Sequence, residues 1–307
     1  MRPRVLAPGL ALLCAVIQMS PASAAAVRTF VASTGVDSGT CSRAAPCRSF
    51  AYAATQTSAG GELAVLDTAG YGTVTITQAI SIVNSSGNIA SVAVPANQNG
   101  ITISAGEYDN VVLRGLTFEG ANAGANGILF NSGGGLTVRD CTLQNFVGVG
   151  TAGNGILLAP SSGNPTFLIA DTTTSNTAVS GLQYLDAGGS VGSGVTVKVD
   201  RMTNYRTNYA VMATATSPVQ PDIFISNTIS SKYNYGFYFK SVVAILDRTE
   251  ANGGGTGVYA ENSTIYFTNS VAQFNGTDVK IASGYAASAG NNLFGSVTGT
   301  LNPYPPK

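Results

Sequence analysis

Gly127-Ile-Leu-Phe130, Leu136-Thr-Val-Arg-Asp140, Gly155-Ile-Leu-Leu158 and Phe167-Leu-Ile-Ala-Asp171 follow one another as short segments of alternating character, separated by polar turns. Segments of the first kind also begin at Gly100, Gly181, Tyr209, Gly236, Gly257 and Asp278, and of the second at Val111, Val195, Ile223, Val243 and Ile265. The two kinds alternate strictly, and the first recurs after 21 to 28 residues, the period of a solenoid coil. Period-2 alternation over four or five residues is a strand with one buried face. Asn145, Asn176, Asn204, Asn252 and Asn275 come shortly after segments of the second kind. Asn tolerates a left-handed backbone, so this column marks one corner repeated coil after coil.

One coil cannot bury its own Ile, Val, Leu and Phe, whereas stacked coils share a continuous core. The expected fold is therefore all-β, a single-stranded right-handed parallel β-helix with an N-terminal capping helix. A doubly wound α/β fold needs a helix of about ten or more residues between parallel strands, and these gaps hold Gly, Asn, Ser and Thr. An antiparallel sandwich explains short strands but not columns in register. Pro46 to Thr55 reads as the amphipathic capping helix, and Leu63-Ala-Val-Leu-Asp67 as the first strand after it.

Composition fits a solenoid and removes several chemistries. Of 307 residues 37 are Gly, His and Trp are absent, and charged residues are 10% against about 25% for an average domain. Histidine catalysis and histidine-ligated metals are excluded. Arg2 and Arg4, the apolar run Leu10 to Met19 and small residues up to Ala25 read as a signal peptide cut after Ala24. A lipoprotein anchor at Cys14 is the alternative, against which Leu13 is bulky. Expected boundaries are 1–24 for the signal peptide, 25–57 for the cap region, 58–300 for the β-helix and 301–307 for an extended tail. Cutting after Ala24 leaves 13 basic against 15 acidic residues. With no basic cluster, nucleic acid is not an expected partner, and no apolar stretch is long enough for a membrane span. The expected location is secreted, periplasmic or at the cell surface. Cys41 and Cys47 flank a Pro-containing loop and read as a disulfide formed in an oxidising compartment. Cys141 reads as a buried small apolar residue.

Pro46-Cys-Arg-Ser-Phe-Ala-Tyr-Ala53, Gly70-Tyr-Gly72 with the strands up to Ile82, and Asp109-Asn-Val-Val-Leu-Arg-Gly-Leu-Thr-Phe-Glu-Gly120 resemble the right-handed β-helix superfamily of pectate lyases, pectin methylesterases and polygalacturonases. The resemblance runs over about residues 28 to 300 and implies the fold. Their catalytic signatures do not carry over. The Gly-His-Gly segment of polygalacturonases and the Trp-Ile-Asp-His segment of pectate lyases need residues this chain lacks, and Asp222-Ile-Phe-Ile-Ser226 only faintly echoes the methylesterase segment.

If the first segments alternate as drawn, Tyr238 and Tyr259 are outward neighbours, Lys240 and Glu261 are neighbours two residues on, and Lys280 stands one coil beyond. Aromatic faces stack on sugar rings while charged groups bond hydroxyls. These residues form the expected glycan-binding surface, with Lys240 and Glu261 as candidate acid/base groups and Tyr205, Tyr209, Tyr233 and Tyr235 on flanking loops. Arg114, Arg139 and Lys198 read as an outward cationic column able to hold an acidic glycan, or as a solubilising face. Asp140 and Asp171 end adjacent segments, as a candidate Ca²⁺ pair or as side chains bonding their own turns; no other cofactor is expected. The leading expectation is an exported β-helix protein engaging a polysaccharide or surface glycan. The alternatives are a polysaccharide lyase or glycoside hydrolase of this fold, and a structural or adhesive surface protein.

Overall fold

The computed structural model describes residues 25–304 except 86, 149–151, 187–189, 193 and 217–219. The signal-peptide reading of 1–24 and the last three residues of the expected tail lie outside these. The chain winds as a parallel β-helix with three faces. Face 1 is a sheet of twelve parallel strands, from Ala26–Val31 through Asn110–Arg114, Gly135–Arg139, Thr166–Ala170 and Thr196–Asp200 to Asn302–Pro303. Face 2 holds Leu116–Glu119, Thr142–Phe146, Glu250–Asn252 and Val271–Gln273, and face 3 holds Asn99–Ser104, Asn126–Ser132, Asn154–Leu158, Thr256–Glu261 and Thr277–Ile281. Three long strands, Thr173–Leu185, Thr203–Thr214 and Ile229–Lys240, pass from face 2 into face 3.

Alternation puts like upon like inside. On face 1, Val111, Leu136, Phe167, Val197 and Ile223 stack in one inward column, and each is about 1% exposed or less. On face 3, Ile101, Ile128, Ile156, Leu182, Val211, Phe237 and Val258 do the same. Each fully buried aliphatic contributes about 1.5 to 3 kcal/mol.

Several sequence expectations shift in register. The segment placed at Tyr209 is set by Ala210, because Leu182 pairs with Val211. The segment placed at Val195 begins two residues later, since Phe167 pairs with Val197. The recurrent Gly at the head of the face 3 strands is not a turn residue. A Cβ at Gly100, Gly127 or Gly257 would stand 2.5, 2.7 and 2.5 Å from the carbonyl oxygen of the next coil. The corner between faces 1 and 2 is one left-handed residue per coil, at Gly115, Asp140, Asp171, Arg201, Asn227, Arg248 and Asn269. The corner between faces 2 and 3 is entered by Asn145, Asn176, Arg206, Lys232, Gly253 and Phe274. Only two of the five expected corner asparagines stand there, and Asn204 is fully buried instead.

The N-terminal end is closed by the helix Phe50–Gln56, with Phe50 and Ala53 buried and the Phe50 ring stacked on Tyr71 at 5.1 Å. Cys41 and Cys47 are disulfide-bonded beside it. Strand Ala26–Val31 precedes the helix and already belongs to face 1. At the other end Asn302–Pro303 pairs with Ala287 and Ser288, so the expected free tail begins as a last rung. Cys141 is buried and unpaired, and burial pushes its thiol up to about 12.

Two carboxylates tie the cap. Burial raises the pKa of Asp37, but hydrogen bonds from the Ser49 hydroxyl and from the Ser49 and Arg48 backbone outweigh it, and the net shift is downward. Asp67 is lowered by hydrogen bonds from the Ser33 hydroxyl and then from Tyr71. A folded pKa below the unfolded value of about 3.9 gives stability that is complete well above that value and is lost as pH falls through the folded pKa. The thermal midpoint is therefore expected to stay level from about pH 7 to 5 and drop below about pH 4, with Asp67→Asn flattening the drop. Calorimetry across that range checks this, and a fall beginning above pH 5 contradicts it.

Candidate functional site

Face 3 carries an aromatic platform on its outward side. The register sets Tyr238 opposite Tyr259 and Lys240 opposite Glu261. The Tyr238 and Tyr259 rings stack at 4.9 Å with planes 4° apart. Tyr209 and Tyr235, expected on flanking loops, stack in a second pair at 5.1 Å and 9°. The pairs meet edge to face, Tyr209 on Tyr238 at 5.3 Å and Tyr235 on Tyr238 at 5.5 Å, so four half-buried rings make one surface. Of the other two expected loop tyrosines, Tyr233 is 6% exposed and donates its hydroxyl to Asn275. Tyr205 lies on face 2 beneath Lys232.

Lys240 Nζ sits 2.9 Å from Glu261 Oε1, and the Tyr259 hydroxyl donates to Glu261 Oε2 at 3.3 Å. The hydrogen bond and charge of Glu261 raise the Lys240 pKa, and Lys240 lowers that of Glu261. Both shifts keep the pair ionised. They run against a proton-donating carboxylic acid or a free amine base near neutrality. Burial raises the phenols of Tyr209, Tyr238 and Tyr259, aided by Tyr235 at the first and Glu261 at the other two; they remain neutral donors. Lys280 pairs with Tyr259 rather than continuing the Lys240 and Glu261 column. Its ammonium lies 5.6 Å from the Tyr259 ring centre and extends the platform as a cation over an aromatic face.

The expected cationic column does not form. Arg114 and Arg139 are neighbours on face 1, followed by Ala170 and then Asp200, while Lys198 stands two residues earlier along its strand, between Leu168 and Phe224. The two-residue slip at Val195 is the cause. Arg114 is taken up by Asp140 at 2.9 Å, and Arg201 by Asp171 at 2.6 Å and by Asp200. Asp140 and Asp171 thus face guanidinium groups of neighbouring coils rather than each other or their own turns. Asp171 is lowered by its hydrogen bond from Arg201. Among the described residues no three Cys, Asp or Glu converge as metal ligands.

The core below the platform turns polar. On face 2 the inward column runs Phe118, Leu143, Thr174, Asn204, Ser230 and Ala251, and Thr174 donates to Asn204 at 2.6 Å. Six buried polar atoms of the described residues lack a partner, on Thr177, Gln183, Asn204, Thr207, Thr214 and Ser230. All six fall in the three long strands, two of which carry Tyr209, Tyr235 and Tyr238. Such groups are costly, and their concentration marks this stretch as one not selected for stability alone. The connections from face 3 back to face 1 are also longest here, at 159–165, 186–195 and 215–221, and shrink to 241–242 and 262 beside Tyr238 and Tyr259.

No protein-family model matches the chain, and no curated protein sequence does either. Among solved structures, the crystal structure of pectate lyase Pel9A is similar, with a TM-score of 0.60 at 15% sequence identity, over 88% of this chain and 76% of that one. At that identity the likeness shows the fold, a parallel β-helix of the pectin-lyase-like type.

Proposed function

We propose that this is an exported protein that binds a polysaccharide or surface glycan along face 3. The carrying observation is the platform of Tyr209, Tyr235, Tyr238 and Tyr259, flanked by the Lys240 and Glu261 pair and by Lys280. The stacked rings cover much of one another's faces, so the platform offers ring edges and phenol hydroxyls, with an ammonium and a carboxylate at the margin, to the C–H and hydroxyl groups of successive sugar rings. The signal-like leader and the Cys41 and Cys47 disulfide support export. Replacing Tyr238 and Tyr259 together by alanine is expected to reduce retention on an immobilised polysaccharide panel at least tenfold, with little change in thermal midpoint because both side chains are outward. Affinity electrophoresis with parallel melting curves reads this, and unchanged retention removes the platform as the site.

A second reading, cleavage of the bound chain, is favoured by the likeness to a pectate lyase. Lys240 and Glu261 are the acid/base candidates within the platform. A retaining or inverting hydrolase needs two carboxyl groups across the bond, and the platform supplies only Glu261. Binding without turnover is the reading the geometry supports better.

A further inference from the structure

At the corner between faces 2 and 3, register stacks Asn176, Arg206, Lys232, Gly253 and Phe274 in successive coils. All five have a left-handed backbone. Asn and Gly enter that conformation cheaply; Arg and Lys do so against steric resistance. Two other left-handed cations of the fold are accounted for by carboxylates, Arg201 by Asp171 and Asp200, and Arg248 by Asp247. Arg206 and Lys232 have no carboxylate within ion-pair distance among the described residues, and both are exposed. Lys232 lies 5.4 Å from the centre of the Tyr205 ring, which orients the ammonium without neutralising it.

Beside these cations is a shallow open depression of about 510 Å³, walled by Thr177, Thr207, Asn208 and Asn234, with Gly253 and Gly254 at its lower edge. A Cβ built on Gly253 would meet nothing within 4 Å, so the coil below leaves space where a side chain would stand. Thr177 and Thr207, 4% and 5% exposed, share an inward column with the buried Tyr233, so their hydroxyls turn away from the depression and the donors at its rim are Arg206, Lys232 and the two asparagines. Among the described residues no carboxylate lines the depression. Left-handed backbone, two uncompensated cations and an open depression coincide at one place, the combination expected where a ligand completes the structure.

We propose that this corner binds a phosphate dianion, either free or as the monoester of a sugar. Two cations one coil apart, about 4.8 Å along the axis, match two negative charges, whereas a carboxylate supplies one. A tetrahedral oxyanion offers acceptors to a guanidinium, an ammonium and amide donors together. Asn208 and Asn234, which line the depression, immediately precede Tyr209 and Tyr235, so a phosphorylated sugar seated here adjoins the strand positions that carry the tyrosine platform.

The test is isothermal titration of the mature chain, residues 25–307, with inorganic phosphate, glucose 6-phosphate and galacturonate at low ionic strength. The variant is Arg206→Asn with Lys232→Asn, because Asn already occupies this corner at Asn145 and Asn176 and keeps its backbone. Arg43→Ala, an exposed cation of the N-terminal cap, is the control. Saturable one-to-one binding of phosphate and glucose 6-phosphate is expected, at least tenfold weaker in the double variant, unchanged in the control, and at least tenfold weaker for galacturonate. Tighter binding of glucose 6-phosphate than of phosphate assigns the site to a sugar ester, and equal binding assigns it to the free anion. Absence of saturable binding, or equal affinity in a double variant with an unchanged melting curve, overturns the site; galacturonate binding as well as phosphate overturns the dianion assignment.

Discussion

Truncating Phe130 to alanine is expected to lower stability by about 3 to 5 kcal/mol. The ring is fully buried, stacked between Ile103 and Leu158 of the adjoining coils, and meets the edge of Phe167 across the core at 4.8 Å and 89°. Its removal opens a cavity facing three coils and two faces at once. Because each coil of a solenoid leans on its neighbours, the loss falls on two interfaces instead of spreading through the molecule. Neighbouring backbones are held by in-register ladders on both sides and have little freedom to collapse into the void. Equilibrium denaturation of the variant reads the loss, and a change below about 1 kcal/mol would mean that the coils do not share a tightly packed core.

Replacing Gly254 by alanine is expected to cost about 1 to 3 kcal/mol through overpacking. A Cβ there would lie 2.1 Å from Tyr233 Cε2 and 2.3 Å from Cδ2. The ring cannot simply swing away, since it is buried and its hydroxyl is bonded to Asn275 at 2.8 Å. That same Asn275 accepts the Gly254 backbone N–H, so moving the ring or the chain disturbs one shared network. The origin of the cost is testable by a double-mutant cycle: in a Tyr233→Ala background the added methyl has room, and its cost should largely vanish. An equal cost in both backgrounds would place the strain in the backbone and not against the ring.

The fold was legible because faces 1 and 3 repeat strong alternating apolar segments such as Leu136-Thr-Val and Gly127-Ile-Leu-Phe. Face 2 left a weaker trace. Its strands are short, and its inward residues become Thr174, Asn204 and Ser230 where an apolar period would have revealed them. The pairing of Tyr238 with Tyr259 and of Lys240 with Glu261 follows from a constant coil length of 21 residues in that region. Where coils vary in length, counting slips, which is how Lys198 was set in a column with Arg114 and Arg139. Tyr209 and Tyr235 escaped assignment to the platform because they stand at the bend of long strands that cross from face 2 to face 3, a place that strand alternation does not describe. The salt links of Asp140 and Asp171 escaped for a related reason: their partners lie one coil away in space and 26 and 30 residues away in sequence.

Whether a glycan lies on the tyrosine platform is read by hydrogen exchange with mass spectrometry in the presence of a retained polysaccharide. Platform binding concentrates the added protection in 209–214, 235–240 and 256–261 and leaves face 1 unchanged. Protection centred instead on face 1 strands such as Asp222–Ser226 and Ser263–Thr268, or no protection at a saturating concentration of a polysaccharide that the protein retains, would contradict it.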